Sequence, residues 1–253
     1  MFIDTHAHLN FKAFDSLVKS TVDAAKEAGV KKIINVGSNF ETSQRAVQIA
    51  KKYYNCFAAV GLHPIHVKDE VLDEGKFLEL ANSKKVVAIG ETGLDYYYDR
   101  STSELQKEIF AKHIKLSNIS GKPLILHTRE AYDDILSVLM ANRPIQKAVM
   151  HCFQGDWNFA QIILDMGFLL SFTGIITFTK DQKTFEVIEK TPLDRIMIET
   201  DCPYLTPEPY RGRQNEPAYV VEVARKIAEI KKITLEEVET QTTQNAQDFF
   251  KLV

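Results

Sequence analysis

His6-Ala-His8 ends the first apolar run of the chain, Phe2–Asp4. Residues i and i+2 of a strand share a face, so both imidazoles can reach one ion. Ligand-type residues recur at the same place on later runs. Glu91 closes Val-Val-Ala-Ile-Gly, His127 closes Leu-Ile-Leu, His151 closes Ala-Val-Met, and Asp201 ends Ile-Met-Ile-Glu-Thr-Asp. Four imidazoles and two carboxylates form a mixed N/O donor set suited to Zn, Mn, Fe, Co or Ni. Mg, which prefers oxygen and water, fits less naturally. Six donors exceed what one tetrahedral ion needs, so the set predicts two divalent ions about 3.5–4 Å apart, sharing a bridging carboxylate and water.

Donors this far apart in sequence meet only if the elements carrying them converge. Eight runs read as strands: Phe2–Asp4, Lys32–Val36, Phe57–Val60, Val86–Ile89, Leu124–Leu126, Ala148–Met150, Phe168–Phe172 and Arg195–Ile198. Most are almost continuously apolar, as for parallel strands covered on both faces. Segments of helical period lie between them. Phe14, Leu17, Val18, Val22 and Ala25 form one stripe ahead of Gly29. Ser101 with Glu104, and Thr234 with Glu237, have capping-box spacing. Asp156 suits an N-cap, Pro217 a first helical position, and Gly121 and Gly167 helix ends.

Strand–helix alternation gives an α/β protein with right-handed parallel crossovers. No G-x-G-x-x-G follows the first strand and no P-loop motif is present, which removes the signature of an open nucleotide-binding sheet. The expected fold is therefore a single-domain (β/α)8 TIM barrel over residues 1–253, with an extra C-terminal helix. Such barrels place their chemistry at the carboxyl ends of the strands, where the six donors lie.

Composition narrows the class. Of 253 residues, 45% are hydrophobic and 26% charged, which excludes a disordered or collagen-like chain. Lys and Arg total 31 against 34 Asp and Glu, a net charge of −3, so a broad basic face for nucleic acid is not expected. A cleft that touches a few phosphates is compatible with that balance. The three cysteines, Cys56, Cys152 and Cys202, have neither disulfide-framework nor metal-ligand spacing. The start has no signal-peptide pattern, and Phe168–Phe178 is too short to cross a bilayer. A cytoplasmic protein, monomeric by default and without a membrane or an obligate protein partner, is expected.

Six motifs in order carry a family resemblance: His6-Ala-His8, Gly61-Leu62-His63-Pro64, Gly90-Glu91-Thr92-Gly93-Leu94-Asp95-Tyr96, His127-Thr128-Arg129-Glu130-Ala131, His151-Cys152-Phe153-Gln154-Gly155 and Glu199-Thr200-Asp201-Cys202-Pro203-Tyr204-Leu205. Arg211-Gly212-Arg213-Gln214-Asn215-Glu216-Pro217 extends the series. The chain resembles the TatD family of metal-dependent deoxyribonucleases, amidohydrolase-like enzymes with a TIM barrel. The resemblance implies hydrolysis of DNA phosphodiesters of 3′→5′ exonuclease type, on single strands or 3′ ends. It implies that His6, His8, Glu91 and Asp201 hold one ion and Glu91, His127 and His151 the other, with Glu91 bridging. Thr92 and Cys202 depart from the usual family residues beside the ligands, not at them.

On this reading a metal-activated hydroxide attacks phosphorus, oriented and deprotonated by Asp201, with Glu91 and Asp201 as the catalytic carboxylates. Two divalent ions bring four positive charges against two carboxylates, leaving a field that favours an anionic ester. His63, Arg129 and Arg211 are the candidate phosphate contacts. Tyr96, Tyr97 and Tyr98 form a cluster that either stacks on bases or packs against neighbouring loops, and Trp157 has the same two readings. His113 reads as core, His66 as a loop residue, Cys56 as structural, and Cys152 and Cys202 as facing away from the ions. The competing reading keeps the metals and changes the bond, to an amide or ester hydrolase such as a D-aminoacyl-tRNA deacylase. A non-catalytic barrel would lack ligands that this chain retains.

Overall fold

The structure is a computed structural model that describes residues 1–144 and 146–252. Its strands are β1 (Phe2–Ala7), β2 (Val30–Val36), β3 (Cys56–Val60), β4 (Val86–Asp95), β5 (Leu124–Arg129), β6 (Ala148–Met150), β7 (Leu169–Phe172) and β8 (Ile196–Ile198). The helices that follow them in turn are α1 (Val18–Glu27), α2 (Phe40–Lys52), α3 (Glu74–Ala81), α4 (Ser103–Ser120), α5 (Tyr132–Asn142), α6 (Trp157–Asp165), α7 (Gln182–Lys190) and α8 (Val220–Lys231), and α9 (Leu235–Phe250) closes the chain. The sheet order is the sequence order, β1 to β8. This is the expected (β/α)8 pattern with one additional C-terminal helix.

Two compact units divide the chain, Met1–Asn35 with Cys152–Val253, and Val36–His151. In the first, β1 pairs in parallel with β2, and β7 with β8. The far edge of β1 meets the chain just beyond β8: Asp201 N–H donates to the His6 carbonyl and His8 N–H to the Cys202 carbonyl, both at 2.9 Å. Helix α9 is tied to the start of β8 by Asn245, whose amide donates to the carbonyls of Leu193 and Ile196. In the second unit β3 to β6 pair in parallel in succession.

Several local expectations hold for the stated reasons. Thr234 and Glu237 form a reciprocal capping box on α9, and Asp156 accepts from Phe159 N–H at the start of α6. Gly121 takes a left-handed φ of 67° to end α4. Others are corrected. Ser101 does not cap α4, because Asp99 accepts its N–H and draws Arg100–Thr102 into a 3-10 turn, so the helix starts at Ser103 without a side-chain cap. The first helix starts at Val18, after a separate 3-10 turn at Lys12–Phe14. Pro217 opens a 3-10 turn ahead of α8, and His66 ends another at Pro64–His66.

The largest difference is in β4, which runs six residues past Ile89, to Asp95. Gly93 permits this extension. Its φ is 140°, and a Cβ there would collide with the His127 carbonyl on β5. The close backbone approach lets Glu91 and Asp95 both stand beside β5.

Helix α4 carries His113, fully buried as expected of a core residue. Its Nε2 accepts from Leu62 N–H at 3.0 Å, and Nδ1 lies 2.8 Å from the Ile109 carbonyl. A neutral ring with the proton on Nδ1 satisfies both contacts. Burial pushes its pKa down to about 4 from 6.5. The unfolded chain therefore binds more protons between those values, and the contribution of His113 to stability, complete above pH 6.5, falls away toward pH 4. Urea unfolding of wild type and His113→Gln at pH 7 and pH 4.5 checks this. The wild-type advantage should shrink by about 2 kcal/mol at the lower pH; a difference independent of pH would contradict it.

Candidate metal centre

In the first unit the β1–β8 hydrogen bonds bring three predicted ligands together. His6 Nε2 lies 3.2 Å from His8 Nε2. Asp201 Oδ1 is 3.8 Å from His6 Nε2 and 3.2 Å from His8 Nε2. Two N/O donors at 2.0–2.2 Å from one tetrahedral ion stand about 3.3–3.6 Å apart, so these separations fit a shared cation. Both imidazoles are almost fully buried, while 15% of the Asp201 side chain is exposed. His8 is stacked on Phe11 with ring centroids 4.3 Å apart, which fixes its plane.

Asp201 has a left-handed backbone, φ 55°, and the residues before it are held firmly. Asp4 in β1 is fully buried, and its carboxylate accepts from Thr200 N–H at 3.0 Å, Thr200 Oγ1–H at 2.6 Å and His6 N–H at 3.3 Å. Burial pushes the Asp4 carboxyl up to about 8 despite these donors. Asn215 adds a hydrogen bond from its amide to the Thr200 carbonyl at 2.8 Å. Glu199, also buried, accepts from Cys152 N–H and Ser171 Oγ–H, each at 2.7 Å.

The second unit gathers its donors around one oxygen. Glu91 Oε1 lies 2.9 Å from His127 Nδ1, 3.4 Å from His151 Nε2 and 3.4 Å from His63 Nε2. His63 has its Nδ1 occupied by Ile65 N–H at 3.2 Å, so its proton is on Nε2, directed at Glu91. Burial pushes the His63 pKa down to about 4. That makes His63 a neutral hydrogen-bond donor beside the predicted ligands.

His127 is the pivotal ring, with a carboxylate at each nitrogen: Glu91 at Nδ1, and Asp95 Oδ2 at 2.9 Å from Nε2. Burial alone would lower its pKa, but the two carboxylates outweigh that and raise it. Asp95 moves the other way. Burial pushes its carboxyl up, and the hydrogen bonds from His127 and Tyr97 N–H bring it below the usual carboxylate range. With Nε2–H held by Asp95, the Nδ1 lone pair faces a Glu91 oxygen, an arrangement that needs positive charge between or on the two groups. A divalent cation bound by Glu91 and His127, with Asp95 orienting the ring, meets that need. Gln106 of α4 holds Asp95 in turn, accepting from its N–H and donating to its carbonyl, each at 2.8 Å.

Each predicted ligand thus falls into one of two N/O groups. The substrate candidates fare differently. His63 sits within the ligand group. Arg129, at the end of β5, lies 3.5 Å above the Tyr97 ring. Arg211 packs over Phe178 at 3.9 Å and donates to the Thr206 carbonyl. Tyr96 is buried, its hydroxyl donating to Asp134 Oδ2 at 2.7 Å, whereas Tyr97 and Tyr98 are exposed. Trp157 lies under Lys190 at 5.3 Å. Cys56 is buried in β3 with its thiol pushed up to about 12 by burial. Asp4, Asp95, Gln106 and Glu199 were not singled out by sequence; only Asp95 carried a signal, four residues past Glu91 and so on the same face if the strand continued.

The family model described as TatD related DNase matches residues 3–251. The chain is 41% identical to the uncharacterized metal-dependent hydrolase YabD of Bacillus subtilis (strain 168), over 100% of both chains. It is 36% identical to the uncharacterized metal-dependent hydrolase YcfH of Escherichia coli (strain K12), over 99% of this chain and 96% of that one. Among solved structures, the TatD homologue YjjV of Escherichia coli K12 superposes with a TM-score of 0.93 at 29% identity, over 100% of this chain and 98% of the other. Among the described residues no helix is long and apolar enough to cross a membrane. Matched along nearly its whole length in sequence and fold, and carrying clustered metal-type donors, the chain belongs to the TatD family of metal-dependent hydrolases.

Proposed function

We propose that this hydrolase is a deoxyribonuclease that cleaves DNA phosphodiesters in the 3′→5′ direction, acting as one catalytic domain with two divalent ions. One ion is held by His6, His8 and Asp201, the other by Glu91, His127 and His151. Bound divalent ions supply Lewis acidity and bring the pKa of water to about 7, which makes a nucleophile available at neutral pH. The observation that carries the reading is the crowding of N/O donors to 3.2–3.8 Å in the first unit and 2.9–3.4 Å in the second, in a chain matched over residues 3–251 by a DNase family model.

The residues divide the remaining work. Asp201 is more exposed than its imidazole neighbours and accepts the proton of the attacking water. His63 offers its Nε2–H to a phosphoryl oxygen in place of Glu91. Asp95 keeps the His127 ring in the tautomer that leaves Nδ1 free to bind metal. Arg129 and Arg211 supply guanidinium donors for phosphates.

The bond cleaved is tested by giving the metal-loaded protein end-labelled single-stranded DNA, a D-aminoacyl-tRNA and a small cyclic amide. Stepwise shortening of the DNA from its 3′ end is expected, and cleavage of only the tRNA ester or the amide would overturn the reading. A chelator should abolish turnover and added Mn2+ or Zn2+ restore it; turnover indifferent to both would remove the metals. Asp201→Asn should keep the circular dichroism of the wild type and lose roughly 100-fold or more in turnover, so a near-wild-type rate would remove Asp201 from the chemistry. Asp95→Asn should weaken metal binding roughly 10- to 100-fold in a chelator competition, and unchanged affinity would show that the Asp95–His127 contact is not used.

A further inference from the structure

The end of β4 continues into three tyrosines whose environments differ sharply. Tyr96 is a packing residue, buried, bonded to Asp134 and covered by Arg100 at 5.4 Å. Tyr97 and Tyr98 are 52% and 71% exposed, far more than aromatic rings serving only as core. They meet edge to face at 4.9 Å. The Arg129 guanidinium lies 3.5 Å over Tyr97 and 5.3 Å from Tyr98. Among the described residues no carboxylate pairs with Arg129. A guanidinium held over an aromatic ring keeps N–H groups available to grip a planar or tetrahedral oxyanion.

This cluster is rigidly joined to the ligand group of its own unit. Asp95 Oδ1 accepts from Tyr97 N–H at 3.0 Å, and Oδ2 of the same carboxylate contacts His127 Nε2 at 2.9 Å. Tyr96 N–H donates to the Arg129 carbonyl at 3.0 Å. One carboxylate therefore separates the exposed rings from a proposed metal ligand. Two exposed rings, one of them with Arg129 over one face, and a guanidinium with no carboxylate partner among the described residues combine the contacts a nucleotide requires: a surface for its base and a cation for its phosphate.

We propose that Tyr97 and Tyr98 form a stacking platform for the bases of single-stranded nucleic acid, with Arg129 gripping the phosphate between them. This deepens the nuclease reading and rests on it for the bond that is cut. Stacking is indifferent to base identity because every base has a π-face, so the platform favours single strands without reading sequence. A duplex keeps its bases stacked on each other and cannot use it.

The test measures fluorescence anisotropy of a fluorescein-labelled phosphorothioate oligonucleotide, which resists cleavage, on the metal-loaded protein. Tyr97→Ala/Tyr98→Ala should raise Kd roughly 10- to 100-fold, with metal content per chain unchanged. Tyr97→Phe/Tyr98→Phe should restore binding to within about twofold, because phenylalanine keeps the face and loses only the hydroxyl. An oligonucleotide of abasic residues should bind wild type as weakly as the intact strand binds the double alanine variant. Wild-type affinity in the alanine variant, or equal affinity for intact and abasic strands, would overturn the platform. Ring-dependent binding by a wild type that cleaves no phosphodiester would instead overturn the nuclease reading and leave the platform standing.

Discussion

Lone pairs crowded together in a buried space require a cation, and the site of this protein is organised by that constraint. In the second unit His127 stands between two carboxylates, Asp95 at Nε2 and Glu91 at Nδ1, an arrangement that calls for positive charge on the ring or beside it. In the first, two imidazole nitrogens and a carboxylate oxygen approach within 3.2–3.8 Å. In water such groups would separate or take up protons. Here backbone hydrogen bonds between β1 and the end of β8, and the tight β4–β5 contact at Gly93, hold them in place. The fold supplies the energy that keeps the donors converged, and a divalent ion is the ligand that best relieves their repulsion.

The orienting groups are as instructive as the ligands. Asp4 anchors Thr200 immediately before Asp201, Asp95 sets the His127 tautomer, and Gln106 grips both backbone groups of Asp95. These polar side chains are buried, and each satisfies backbone or side-chain partners that would otherwise be stranded. Such partners tune ligand basicity and geometry and commonly matter as much as the ligands themselves.

The six candidate ligands were legible in the sequence because one rule picks them out: a donor at the carboxyl end of an apolar strand-like run. That rule depends only on strand order and direction, which the alternation of runs and helical segments already specifies. The orienting residues were not legible, since Asp4 lies within a run and acts through a partner nearly two hundred positions away. Asp95 was hidden by Gly90 and Gly93, which read as the end of β4 but serve to let it continue. Ser101 misled for the opposite reason, because the nearer Asp99 captured its N–H first. The tyrosine triplet was ambiguous in sequence because exposure, which separates Tyr96 from its two neighbours, is a property of the folded surface.

Membership of the TatD family gives the reaction class, a metal-dependent hydrolysis, while the donor geometry makes a claim that is sharper and easier to refute. Crystals grown with Mn2+ or Zn2+ and measured across the absorption edge of the metal test it directly. The account predicts one anomalous peak about 2.0–2.2 Å from donor atoms of His6, His8 and Asp201, and another at the same range from Glu91, His127 and His151. A map with no peak at either group, or with metal bound only elsewhere on the protein, would contradict it.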